Sequence, residues 1–216
     1  MNQASRPPLF TLIVALLALH WGYPAHASNG PNPDACIALH LVPEESKGKK
    51  LCAPNTKGWT ELQVSGEINQ RYWAYVVVTD FDTDLGLTGI QFGIEYDAAP
   101  GKGVDILRWQ KCSTLEFASK SWPEAGTGTL LTWDRNRECQ KEDPVVVGAF
   151  LVEAKTEGQL SLVARPVDGI AAVAACTASV TEVNQSISRI QTKNLGWVAF
   201  GSSKGHDPTV PASPNR

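Results

Sequence analysis

The chain has 216 residues, with 19 Lys and Arg against 22 Asp and Glu, four His, five Cys and seven Trp. This mildly acidic balance argues against a nucleic-acid binder, which needs clustered cations to displace phosphate counterions. The one dense basic group, Lys47, Lys49 and Lys50, reads as a solvated turn.

At the N-terminus Arg6 is the only charge ahead of an apolar run over residues 9–21, interrupted by Thr11 and His20 alone. Thirteen residues fit the hydrophobic region of a signal peptide, about 7 to 15, and fall short of the roughly 18 that span a bilayer. Gly22 and Pro24 break the helix, and Ala25-His26-Ala27 places small residues where signal peptidase needs them, so cleavage is expected before Ser28. No other apolar run is long enough to cross a membrane. Removing these 27 of the 216 residues leaves 189, and losing Arg6 alone takes the charge to 18 basic against 22 acidic residues. That length suits one domain with one core. The expected organisation is a signal peptide over 1–27, a disordered segment over 28–35, a β-sandwich over 36–201 and a disordered tail over 202–216.

Beyond the cleavage site the dominant period is two, which signals strands. The clearest run is Ile90-Gln91-Phe92-Gly93-Ile94-Glu95-Tyr96-Asp97, where Ile90, Phe92, Ile94 and Tyr96 share one side of a half-buried strand. Residues 72–79 and 145–154 are apolar on both faces, as in strands covered from both sides. Further strands are expected at 37–42, 61–66, 104–110, 129–133, 159–165 and 195–201. Glu157-Gly158 reads as a tight hairpin. Only residues 181–194 fit a helix, through Val183, Ile187 and Ile190, and they fit strand and loop equally well. About nine short strands define an all-β fold, a single antiparallel β-sandwich of jelly-roll or cohesin-like type with at most one short helix; a closed barrel is the alternative.

The five cysteines are Cys36, Cys52, Cys112, Cys139 and Cys176. Export makes disulfides the first expectation, and no CxxC pair points to zinc or a redox motif. Proximity in sequence favours Cys36 with Cys52 and Cys112 with Cys139, each worth about 3 kcal/mol on the chain-entropy model. Cys176 is then a free thiol, or pairs with Cys36 and leaves Cys52 odd.

The segment Gly89-Ile90-Gln91-Phe92-Gly93-Ile94-Glu95-Tyr96-Asp97, followed by Pro100-Gly101, resembles the early strand of cohesin modules. Gly148-Ala149-Phe150-Leu151-Val152-Glu153-Ala154 with Gly158 and Leu160-Ser161-Leu162 is similar to the cohesin hairpin in which one strand carries a Phe. The resemblance implies a jelly-roll sandwich that binds dockerin domains or serves in cell-surface assembly. Trp122-Pro123 and Thr132-Trp133-Asp134, together with the strand from Gly89 to Ile94, are also similar to secreted modules of environmental bacteria, which implies an address and a fold rather than an activity. The five Cys and the Trp-bearing stretch between Cys112 and Cys139 depart from the cohesin pattern.

The chemistry is sparse. Only His40 and His206 remain after cleavage, so a Ser-His-Asp or Cys-His site would have to use His40, and catalytic zinc would lack its usual two or three imidazoles. No carboxylate pair can be placed across a sugar. Asp80, Asp82 and Asp84 alternate after a strand, as oxygens converging on Ca²⁺ do, but Leu85 and Gln91 stand where an EF-hand loop has Gly and a bidentate Glu. No other cofactor is implied. Among the Trp, Trp73 and Trp197 sit in apolar strands, whereas Trp109, Trp122 and Trp133 lie in or beside the stretch from Cys112 to Cys139 and are the candidate binding residues. Of these Trp122, beside Pro123 and Gly126-Thr127-Gly128, is the best candidate for an exposed anchor. The resulting expectation is a secreted, non-catalytic module, extracellular or periplasmic, that binds a protein or a polysaccharide at the cell surface. The alternatives are a structural cell-envelope module and an extracellular hydrolase.

Overall fold

The computed structural model describes residues 30–46, 50–59, 61–99, 101–176 and 186–210. The expected signal peptide lies outside them. Twelve strands occur among the described residues: β1 (Cys36–Pro43), β2 (Ser65–Gly66), β3 (Arg71–Thr79), β4 (Leu87–Tyr96), β5 (Val104–Lys111), β6 (Leu115–Ala118), β7 (Thr127–Thr132), β8 (Val145–Ala154), β9 (Gly158–Val163), β10 (Ala172–Ala175), β11 (Ile187–Arg189) and β12 (Trp197–Phe200). They form two sheets and hence a β-sandwich. The first runs β1-β3-β8-β5, and the second runs β11-β10-β4-β9-β12-β2, with β7 on the other edge of β4 and β6 outside β7. All pairings between these strands are antiparallel except the short β12–β2 contact.

The period-two pattern explains the layers. Along β4, Ile90, Phe92 and Ile94 enter the core between the sheets, with Gln91 and Glu95 on the other side. They meet Ala74, Val76 and Val78 of β3 and Phe150 and Val152 of β8. Each of these Val, Ile and Phe side chains contributes roughly 1.5–3 kcal/mol on burial. The alternate residues of β3 and β8, namely Trp73, Tyr75, Val77, Ala149 and Leu151, form a second apolar cluster on the outer face of the first sheet. That face is roofed by Leu51, Trp59 and Leu62 from the strap that leaves β1 and returns at β2. The strap is why β3 and β8 are apolar on both sides.

Several expectations are corrected. The bridges are Cys52–Cys112 and Cys139–Cys176, and Cys36 is a buried free thiol. Proximity in sequence failed because Cys36 is fixed at the start of the edge strand β1, opposite Thr79 of β3, while Cys52 rides on the strap and meets the chain just past β5. Glu157-Gly158 is not a hairpin turn, since β8 and β9 belong to different sheets. The stretch that fits a helix or strand and loop equally takes the second form over its described part: residues 187–189 are β11 and Thr192–Asn194 is a 3-10 turn, while residues 181–185 lie outside the described residues.

The flanking segments, expected to be disordered, are packed where they are described. Ala35 is fully buried, Asn32 N–H donates to Ser188 Oγ (2.8 Å), and Asp82 N–H donates to Asn32 Oδ1 (2.8 Å). At the other end His206 exchanges backbone hydrogen bonds with Trp197 (2.8 and 3.2 Å), and Leu62 N–H donates to Asp207 Oδ2 (3.3 Å), tying the strap to the C-terminal segment.

Candidate binding face

The outer face of the second sheet has a much shorter cover than the strap among the described residues: Arg165 and Pro166 lie over Gly128 and Gly93, where a Cβ would come within 2.6 and 2.8 Å of them, and the face is open from Gly89 to β6. Its composition follows from one inward polar residue on β6. Glu116 points between the sheets, where Oε1 accepts hydrogen bonds from Trp109 Nε1 (2.8 Å) and Thr129 Oγ1 (3.0 Å). Because side chains alternate along a strand, its neighbours Leu115 and Phe117 must face outward, where they are 55% and 59% exposed.

The register extends this pair across the sheet. One row runs Ile187–Ala174–Gly89–Thr132–Leu115 and the next runs Arg189–Ala172–Gln91–Leu130–Phe117. The small residues in the middle leave a shallow apolar trough of about 100 Å³, bounded by Ile187 on one side and Leu130 and Thr132 on the other. Gly89 forms part of its floor, and a Cβ there would make ordinary contacts, 3.4 Å or more from Leu131 O, Ala174 and Thr132. Gln91 is held at one end by donating to Ile170 O (3.1 Å) and Asp168 Oδ2 (3.3 Å). Asp168 also pairs with Arg165, whose hydrogen bond holds that carboxyl below the usual range. A largely apolar surface, interrupted by Gln91 and Thr132 and with charged groups at its rim, is the composition of an interaction face.

The residues singled out in the sequence lie elsewhere. Trp109 and Trp122 come together, with centroids 5.5 Å apart and edge to face, and Trp122 lies 5.8 Å from Phe92 and 5.7 Å from Phe150. Trp122 is therefore a partly buried plug at the end of the core rather than an exposed anchor, and Tyr96 OH fixes its loop by donating to Pro123 O (3.1 Å). Gly148 makes room for Trp109: a Cβ there would come within 2.4 Å of the indole. Trp133 is buried and donates Nε1–H to Cys112 O (2.9 Å). No disulfide joins Cys112 to Cys139, so the covalent clamp expected around this loop is absent.

Asp80, Asp82 and Asp84 do not converge. Asp82 Oδ1 accepts from the N–H groups of Asp84 (2.9 Å) and Leu85 (3.2 Å), and Asp80 Oδ2 accepts from Thr79 Oγ1 (2.9 Å). The Asp82 carboxylate thus caps the loop's own backbone. Among the described residues no group of three or more His, Cys, Asp or Glu is placed to hold a metal ion.

His40 is committed to structure as well. Its Nδ1 accepts Gln63 N–H (2.9 Å), and its ring lies 4.2 Å from that of Trp59, which in turn packs on Tyr75. Burial drives its pKa down to about 4, against a smaller opposing effect of Asp207. Burial, aided by Asp80, Asp207 and Asp34, pushes the Cys36 thiol up to about 12, which makes it inert as a nucleophile near neutrality.

Fold and surface together define a disulfide-bonded β-sandwich that exposes one apolar sheet face. No protein-family model matches the chain, and no curated protein does. Among solved structures it is similar to a cohesin module from the family 33 glycoside hydrolase of Clostridium perfringens, at 9% identity over 77% of this chain and 96% of that one, with a TM-score of 0.44. It is also similar to the sixth cohesin of scaffoldin B from Acetivibrio cellulolyticus, solved in complex with a Cel5 dockerin, at 12% identity over 67% and 89% of the two chains, with a TM-score of 0.42. No helix among the described residues is long and apolar enough to cross a membrane.

Proposed function

We propose that the chain is an exported, non-catalytic module that binds a protein partner on the outer face of its second sheet. The observation that carries this reading is the exposed apolar set of Leu115, Phe117 and Ile187, with half-buried Leu130 beside them, around a floor of small residues. Covering a side chain such as Phe117 contributes up to about 3 kcal/mol, and a flat face five strands wide suits a folded protein better than a small molecule. The dockerin partner of the scaffoldin B cohesin is consistent with a protein on such a sandwich.

Export with cleavage before Ser28 is part of the same reading. It is supported by the two disulfides, which persist in oxidising compartments. The non-catalytic character is supported by His40, whose Nδ1 is occupied and whose ring is buried under Trp59. A glycan reading would need several flat aromatic rings on the surface, and with Trp109, Trp122 and Trp133 packed or half-buried only Phe117 among the described residues stands exposed on this face.

The test is retention of proteins exported by the same cells on immobilised wild type and Phe117→Lys. A specific protein held by the wild type and weakened tenfold or more, about 1.4 kcal/mol, by the variant supports the reading. Equal retention by both, or retention of polysaccharide instead, contradicts it.

A further inference from the structure

The two disulfides face one cleft with unequal access. A hollow of about 420 Å³ is walled by Cys52, Cys112, Cys139, Lys141 and Glu142. Cys52 is exposed, whereas Cys176 is 7% exposed. Cys139 is half-buried, and away from the hollow its sulfur is backed by the chain at Gly86, where φ is +64° and a Cβ would lie 2.4 Å from Sγ. On its other side Cys52 opens onto a second hollow walled by Lys50, Arg108 and Trp73. An incoming thiolate is an anion, so these cations raise its concentration beside the exposed sulfur. Exchange depends on access to the attacked sulfur and on the supply of thiolate. The protein's own free thiol, Cys36, is buried and held protonated, so it does not compete.

We propose that Cys52–Cys112 is a thiol–disulfide exchange site for low-molecular-weight thiols, attacked at the Cys52 sulfur, and that Cys139–Cys176 is closed to them. In the first step the thiolate RS⁻ bonds to Cys52 Sγ, the bond to Cys112 breaks, and its electron pair leaves on Cys112, which takes a proton from water. In the second step another RS⁻ attacks the sulfur of the attached R group. This releases RS–SR, and Cys52 leaves as the thiolate and is protonated. Two thiols are oxidised to one disulfide while the bridge is reduced to two thiols. The sandwich keeps its second bridge, but the strap over residues 50–59 and 61–63 loses its covalent hold. Leu51, Trp59 and Leu62 can then lift from Trp73, Tyr75 and Leu151, so exchange opens a second apolar face, independently of what binds the first.

The experiment exposes the native protein to reduced glutathione, quenches with N-ethylmaleimide at timed intervals, and maps the peptides by mass spectrometry. Glutathione is expected on Cys52 and the maleimide on Cys112, on the order of tenfold or more faster than any modification of Cys139 or Cys176. Hydrogen exchange should rise in step over residues 50–59 and 61–63 while β4 stays protected. Opening of both bridges at one rate, opening of Cys139–Cys176 first, or glutathione on Cys112 in place of Cys52 would each overturn the proposal. Loss of protection in β4 together with the strap would overturn its confinement to the strap.

Discussion

The outer faces of the two sheets are built from similar apolar residues and treated in opposite ways. On the first sheet Trp73, Tyr75 and Leu151 lie under Leu51, Trp59 and Leu62, held by a disulfide, by the Gln63–His40 hydrogen bond and by Asp207. On the second sheet Leu115, Phe117 and Ile187 stand in the open. A chain that roofs one face with a long covalent strap has the means to cover apolar strands, so the bare face is informative. Its exposure also has a local cause, since Glu116 is turned inward to satisfy Trp109 and Thr129.

The largest expected effect on this comparison comes from removing the strap's tether. Cys52→Ser with Cys112→Ser opens a loop with a sequence separation of 60, worth on the order of 4 kcal/mol in the chain-entropy model. Urea unfolding should show that loss while the circular dichroism of the sheets persists. Trp59→Ala follows, at about 3 kcal/mol, because the ring packs between His40 and Tyr75. An unchanged midpoint would mean that the strap is not a roof.

The pH dependence of the covered face comes next. Because burial lowers His40 to about 4 from its ordinary 6.5, the unfolded chain binds a proton between those values that the folded chain refuses. The stabilisation is therefore complete above about pH 6.5 and is lost as pH falls towards 4, up to about 3 kcal/mol in all. His40→Asn keeps an acceptor for Gln63 N–H without a titrating ring, and should flatten the stability profile across that window. A slope equal to that of the wild type would show that other groups carry it.

The legibility of the fold and of the site differed for physical reasons. Strands with a strict period or a wholly apolar run, such as β4 and β8, were readable because the core imposes those patterns; β8 has the bounds its sequence implies. β6 and β10 lie outside the strands that the sequence predicts, and β11 lies in the stretch that fits a helix or strand and loop equally. β6 is four residues long and turns its polar residue inward, so Leu115-Glu116-Phe117 has the alternation of a strand with its sidedness inverted, and only the partners of Glu116 reveal this. The disulfides were misassigned because the strap brings Cys52 to Cys112 across 60 positions. Trp122 drew attention as a loop Trp, but loop position says nothing about burial, and Phe92, Trp109 and Phe150 claim its ring.

The smallest stability change belongs to the open face. Phe117→Lys should shift unfolding by no more than about 0.5 kcal/mol, since the ring has little to lose on the folded side and Lys is tolerated on edge strands. Gly89→Ala, which meets only ordinary contacts, should be as mild and should partly fill the trough.

The sharpest test of the second sheet's outer face as the binding site sets Phe117→Lys against Trp122→Ala in one paired measurement of urea unfolding and of binding to the protein retained by the wild type. The expected result is a crossed pattern. Phe117→Lys keeps its stability and loses tenfold or more in affinity, and Trp122→Ala loses about 3 kcal/mol of stability yet, while folded, binds as the wild type does. Undiminished binding by Phe117→Lys together with lost binding by folded Trp122→Ala would move the site to the end of the core and contradict the assignment of the second sheet's outer face.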